Sequence, residues 1–232
     1  MTHDRKTVVL EAVIFDMDGL LLDTEAMARK SLIHAGAVFG LDADLRFCES
    51  LIGIPADDCN LLFARRFGAS APAAAYFAEA TRHLAMEIDA GRMNVKPGVH
   101  ALLACLTRAG IAHAVATSSS REKALHHLGK AGIAHGFDAI ATRTDVARGK
   151  PFPDVYLHAA RQLGVAPGAC LALEDSYNGV RAAHAAGMAV VMVPDLLPPT
   201  EEMRSLCLAV VPDLHHVVRL LGSATGSDAL RA

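Results

Sequence analysis

The stretch FDMDGLLLDTE, Phe15 to Glu25, closes an apolar run, sets down two acids one residue apart, and then adds a leucine block and two more acids. In extended backbone, residues i and i+2 point the same way, so Asp16 and Asp18 can reach one reacting group together. Asp23 and Glu25 stand where the pattern turns helical. Asp23-Thr24 suits a helix N-cap and Glu25 suits a positive first turn, or the pair marks a hinge or touches a substrate. Gly19 permits the turn between the two kinds of acid.

Downstream, from position 94, helix and strand patterns alternate. VHALLACLTRAG (99–110) has helical spacing and stops at a glycine, and IAHAVATSSS reads as a short buried strand running into a polar loop. REKALHHLGKAG, FDAIAT, PDVYLHAARQLG, CLALEDS, NGVRAAHAAG and MAVVMVPD continue the alternation. Such a series implies βα crossovers, and strands that read as apolar runs imply a parallel sheet covered on both faces. Between Thr24 and Arg92 the texture is alanine-rich and helical with no comparable strand. The expected fold is α/β: a doubly wound, Rossmann-like parallel core formed by 1–23 and 94–232, with an all-helical cap domain, 24–93, inserted into it. The tail GSATGSDALRA reads as a loop.

Composition limits the function. The chain has 232 residues, 52% of them hydrophobic, and a net charge of −3, so it can bury a sizeable core and lacks the basic excess of a nucleic-acid or anionic-membrane binder. Arg65-Arg66 reads as a solvated helix edge. Five scattered cysteines with no CxxC pair suggest neither a zinc site nor a disulfide framework, which fits a cytoplasmic protein. No signal-peptide pattern and no apolar stretch of membrane-spanning length is present. The pairs His126-His127 and His215-His216 read as surface residues, because adjacent helical positions point apart.

Ligands of doubly wound sheets bind beyond the carboxyl ends of the strands. The residues just past the apolar runs are Asp16 and Asp18, Thr117 and Ser118, and Glu174 and Asp175, with Lys150 before the helix that follows Pro153. Carboxylates packed together require a cation, and hard oxygen donors suit Mg2+. Mg2+ and Lys150 could hold a phosphate dianion against an aspartate, with Thr117 and nearby backbone N–H groups donating to its oxygens.

The segments DMDGLLLDTE, ATSS, GKPFPD and LEDS, in that order and spacing, resemble the four motifs of the haloacid dehalogenase-like hydrolase superfamily. The helical insertion after the first motif resembles the cap of its phosphatase and β-phosphoglucomutase branch. The resemblance implies Asp16 as the nucleophile and Asp18 as general acid and base. It implies Mg2+ held by Asp16, the Asp18 backbone carbonyl and Asp175, with Glu174 as a nearby or water-mediated partner, and phosphate bound by Thr117, Ser118 and Lys150.

The implied activity is Mg-dependent hydrolysis of a small phosphorylated metabolite, of sugar or polyol phosphate class, by a monomer or weak dimer. The nearest alternative is a β-phosphoglucomutase-like mutase. Those enzymes carry a histidine where Ala28 stands here and basic residues in the loop where Ile52, Pro55 and Ala56 stand. Dehalogenase and phosphonate-hydrolase readings are disfavoured by Asp18 and by Lys30, the one cap lysine, lying in an ordinary helical pattern. A receiver-type or non-catalytic phospho-ligand-binding protein is more remote, because the acids follow another order there and no essential group is missing here.

Overall fold

The computed structural model describes residues 10–51 and 56–225. The chain forms two compact units, one built from the chain up to Leu22 and from Val95 onward, the other spanning Asp23–Asn94. Of the mutase-discriminating positions, Ile52 and Pro55 lie outside the described residues. So do the N-terminal residues 1–9 and the last residues of the tail.

In the first unit, β1 (Ala12–Phe15) is buried throughout and lies centrally. It pairs in parallel with β2 (Ala112–Ala116) on one side and β4 (Cys170–Glu174) on the other. With β3 (Ala139–Ala141), β5 (Ala189–Met192) and β6 (Ala209–Val210), the described strands form one six-stranded parallel sheet of order β3-β2-β1-β4-β5-β6. The order reverses beside β1, and this is the switch point at which doubly wound sheets open a crevice.

Side-chain alternation sorts the two faces. Ala12, Ile14, Ala114, Ala116 and Ala172 share a core with Val155, Tyr156, Ala159 and Ala160 of α7 (Asp154–Leu163) and with Val180 and Ala183 of α8 (Tyr177–Ala185). These strand residues are mostly alanine, so the helices approach closely. On the opposite face Phe15 meets Phe137 edge-on, with ring centroids 5.8 Å apart. There α5 (Val99–Ala109) packs against α10 (Leu214–Thr225). The α5 helix ends at Gly110 with φ of 67°, its N–H returning to Leu106 and Thr107, a left-handed cap that a Cβ would strain.

Among its described residues, the remaining α-helices of this unit are α6 (Arg121–Lys130) and α9 (Glu201–Leu206). Serine or threonine side chains at Ser120, Ser176 and Thr200 cap α6, α8 and α9. Sequence reading omits α9, β6 and α10, and where it reads a loop from Gly222, α10 continues to Thr225.

The second unit contains α1 (Thr24–Phe39), α2 (Leu45–Ser50), α3 (Ala56–Phe67) and α4 (Ala73–Asp89), with no strand among its described residues. Its core is aromatic: Phe47, Phe63 and Tyr76 are buried, with Phe67 and Phe77 packed against them. Arg65 and Arg66 are exposed at the end of α3. Asp23 does not cap α1 through its side chain. Its carboxylate accepts from Asn94 twice, from the backbone N–H at 2.8 Å and from Nδ2 at 2.9 Å, and so joins the two ends of the unit. No described helix is long and apolar enough to cross a membrane.

Candidate active site

Strand register brings the sequence-predicted residues of the sheet unit to one rim. Phe15 lies level with Val115 and with Leu173, so the chains leave β1, β2 and β4 together at Asp16, Thr117 and Asp175. Alternation places Asp16 and Glu174 on the sheet face that carries α7, and Lys150 precedes α7. The result is a buried triad: Lys150 Nζ lies 2.5 Å from both Asp16 Oδ1 and Glu174 Oε1.

Burial alone would discharge Lys150, but Asp16 and Glu174 outweigh it and raise its pKa above the ordinary lysine value. Asp16 is pushed well above the usual carboxylate range, first by burial and further by Glu174 and Asp18, with Lys150 opposing. Glu174 and Asp18 thus add negative charge around Asp16 while Lys150 opposes it, which leaves an imbalance. A second cation would relieve it.

Glu174 is fully buried, at 0% exposure. Its Oε1 receives Lys150 Nζ and the Tyr156 hydroxyl at 2.7 Å, and its Oε2 receives the N–H groups of Asp175 and Ser176, both at 3.0 Å, and Ser176 Oγ at 2.9 Å. A carboxylate offers about four lone-pair sites. Donors from its own fold thus reach both of its oxygens, and its neighbours in space are Lys150 and Tyr156. Gly179 makes room for it, because a Cβ there would lie 1.7 Å from Oε1.

The remaining candidates for a cation are Asp16 and Asp175, both nearly buried, and the backbone oxygen of Asp18. No group of three or more histidine, cysteine or acidic side chains forms a ready cage among the described residues. Two carboxylates and one carbonyl nevertheless fit Mg2+, which favours hard oxygen, retains several waters and is commonly held by one or two carboxylates plus a phosphate. The donor set therefore suits the implied ion.

Asp18 has a different setting. Its Oδ2 accepts from Ser119 Oγ at 2.7 Å and more distantly from Thr117 Oγ1 at 3.5 Å, while its Oδ1 faces His127 Nδ1 at 3.9 Å. Thr117 is buried and Ser118 exposed at the rim. The surface reading of the His126-His127 pair holds for His126 and fails for His127, which is 4% exposed on the inner stripe of α6 with Ala124 and Leu128. Glu25 stands in the first turn of α1 in the other unit, and Asp23 in the clasp with Asn94, away from the role of helix cap.

Sequence reasoning missed Tyr156, Ser119, His127 and Gly179. Ser119 lay inside the quoted ATSSS run, and the i, i+3, i+4 spacing of Ala124, His127 and Leu128 marks an inward-facing histidine. Tyr156 and Gly179 gave no signal beyond belonging to helical patterns.

Comparison with known proteins bears on the family and the fold. The family profile described as haloacid dehalogenase-like hydrolase matches residues 13–193. The protein CbbY of Cupriavidus necator is 35% identical over 220 residues, covering 88% of this chain and 86% of its own. Hexitol phosphatase B of Escherichia coli is 33% identical over 188 residues, covering 79% and 83%. Among solved structures, a hydrolase of the same family from Deinococcus radiodurans, crystallised with phosphate and sodium, superposes with a TM-score of 0.82 at 26% identity over 96% of this chain and all of that one.

Proposed function

Since the chain belongs to the haloacid dehalogenase-like hydrolases and is a phosphoric monoester hydrolase of that family, we propose that it is a Mg-dependent phosphatase of sugar or polyol phosphates, acting through an aspartyl-phosphate at Asp16. The observation that carries the reading is the buried contact of Lys150 with Asp16. An ammonium beside the nucleophile offsets the repulsion between a carboxylate and an incoming phosphate dianion.

In this mechanism Asp16 attacks phosphorus while Asp18 gives its proton to the departing alcohol oxygen, so the P–O bond breaks as the Asp16–phosphorus bond forms. Asp18, now a carboxylate, then takes a proton from the water that attacks the same phosphorus and frees Asp16 as inorganic phosphate leaves. Lys150, with Thr117 and the Ser118 region, binds the phosphoryl oxygens, and Glu174 holds Lys150 in place through the contacts described above. Asp16, the Asp18 carbonyl and Asp175 would hold Mg2+, which supplies positive charge to the phosphoryl group when bound.

The polyol or sugar class is supported by the name of the hexitol phosphatase relative. Water rather than a second sugar is the acceptor in this reading, because Ala28 supplies no side chain able to anchor a bisphosphorylated intermediate. A phosphate-release screen over sugar, polyol, glycolate and nucleotide phosphates, with and without Mg2+, tests the proposal. The expected result is Mg-dependent release from sugar or polyol phosphates that Asp16→Asn abolishes while the far-UV spectrum stays unchanged. Retention of Mg-dependent turnover by Asp16→Asn would overturn the mechanism.

A further inference from the structure

The Asp18 carboxyl group is addressed on both oxygens by residues outside the phosphate-binding set: Ser119 Oγ lies 2.7 Å from Oδ2, and His127 Nδ1 lies 3.9 Å from Oδ1. Ser119 is itself fixed from both sides of its backbone. Its N–H donates to Thr117 Oγ1 at 3.0 Å, and its carbonyl accepts from the Arg143 N–H at 3.0 Å. His127 is held by the buried stripe of α6, whose first turn is capped by Ser120, the residue next to Ser119. The rim loop and α6 thus form one rigid piece that presents a hydroxyl and an imidazole to one carboxyl group.

Asp18 needs such support. It lies beyond the end of β1, just before Gly19 with its φ of 93°, so the sheet does not fix its side chain. A carboxyl group that must meet a leaving oxygen and then a water loses rate when it can rotate away.

From this geometry we infer that Ser119 and His127 are positioning residues that fix the orientation of the Asp18 carboxyl group, Ser119 through its hydrogen bond and His127 by closing the opposite side. The inference rests on the proposed role of Asp18 as general acid and base. In the step concerned, the proton on Asp18 passes to the alkoxide oxygen as its bond to phosphorus breaks, leaving Asp18 as carboxylate. Misorientation should therefore matter most when the leaving group is a poor one.

The test compares kcat/KM, which reports the first phosphoryl transfer, for an alkyl phosphate and for p-nitrophenyl phosphate, whose phenolate leaves without a proton. Ser119→Ala and His127→Ala are each expected to lower the alkyl-phosphate value by about tenfold or more, as a part of the general-acid contribution, and the p-nitrophenyl value by much less. Ser119→Thr, which keeps the hydroxyl, should restore most of the loss. In an Asp18→Asn background neither alanine variant should reduce the alkyl-phosphate value further. Should His127→Ala fail to fold by circular dichroism, His127→Gln takes its place.

Equal losses on both substrates, or losses that persist in the Asp18→Asn background, would overturn the positioning role. A different result bears on the underlying reading: if Asp18→Asn alone hydrolyses both phosphates as well as the unaltered enzyme, Asp18 is not the acid and the proposed mechanism fails.

Discussion

Tyr156 donates its buried hydroxyl to Glu174 at 2.7 Å, on the same oxygen that Lys150 reaches. Burial, with Glu174 and Asp16 adding, raises the phenol well above its ordinary value of 10.0, so it remains a donor through neutral and moderately alkaline pH. Tyr156→Phe removes one of the donors on a fully buried carboxylate. A hydrogen bond to a charged group contributes about 1.5–3 kcal/mol. Urea unfolding should show a loss of that order, and Glu174→Gln should lose more, because its amide NH2 would face donors that now meet a carboxylate oxygen.

Gly179 offers a sharper test of the same carboxylate. A methyl group there would sit within 2.2 Å of both Glu174 oxygens, so Gly179→Ala must displace Glu174 or the first turn of α8. Displacement of about 1 Å at a catalytic group can cost on the order of a hundredfold in rate, and kcat for phosphate release should fall by about that factor. Gly129, on α6, has open space where its Cβ would be. Gly129→Ala should leave activity unchanged and stabilise the protein by about 0.5–1 kcal/mol, measured by thermal melting.

The parallel sheet was legible in the sequence, and for a physical reason. Strands buried on both faces must be nearly all apolar, so the first polar residue after AVIF, HAVA or CLAL marks the strand end. β6, at two residues, is too short to carry a pattern. For Asp23 the sequence left a cap, a hinge and a substrate contact open, because a partner far along the chain is not visible locally; Asn94 takes its carboxylate, and it does not cap α1 through its side chain. Glu174 and Asp175 look alike in sequence. Contacts from Lys150, from Tyr156 of α7 and from Ser176 before α8 are what fill Glu174, and that is a tertiary property.

The helical unit depends on aromatic packing. Phe63 is fully buried among Phe47, Phe67, Tyr76 and Phe77, with a centroid separation of 4.8 Å to Tyr76. Phe63→Ala should cost about 3–5 kcal/mol through lost burial and the cavity left behind. Hydrogen exchange resolved by segment should show the loss first in α3 and α4.

Acid should weaken the surface of the same unit in a predictable direction. Hydrogen bonds from Arg82, and also His34, hold the Glu79 carboxyl down from 4.5 to about 2, with desolvation opposing. A depressed acid contributes stability above its unfolded value and loses it as pH falls through the folded one. The melting-temperature difference between the unaltered protein and Glu79→Gln should therefore be present at neutral pH, shrink below pH 4.5 and vanish near 2. A difference independent of pH would contradict this assignment. Because Glu79 and Arg82 are at the surface, added salt should reduce it.

Leu22 and Val95 are bridged to each other within the sheet unit, and the Lys96 N–H returns to the Leu21 carbonyl at 2.9 Å. The backbone of that unit therefore meets itself where the chain departs and where it comes back, as the stem of a hairpin would. In topological terms the host fold is already complete at this stem. A short turn linking Leu22 to Val95 would leave every strand pairing of the sheet in register, and a segment of quite different length could be grafted there without re-threading it. Diversification at such a junction can proceed by exchange of whole segments while the rim chemistry is inherited intact.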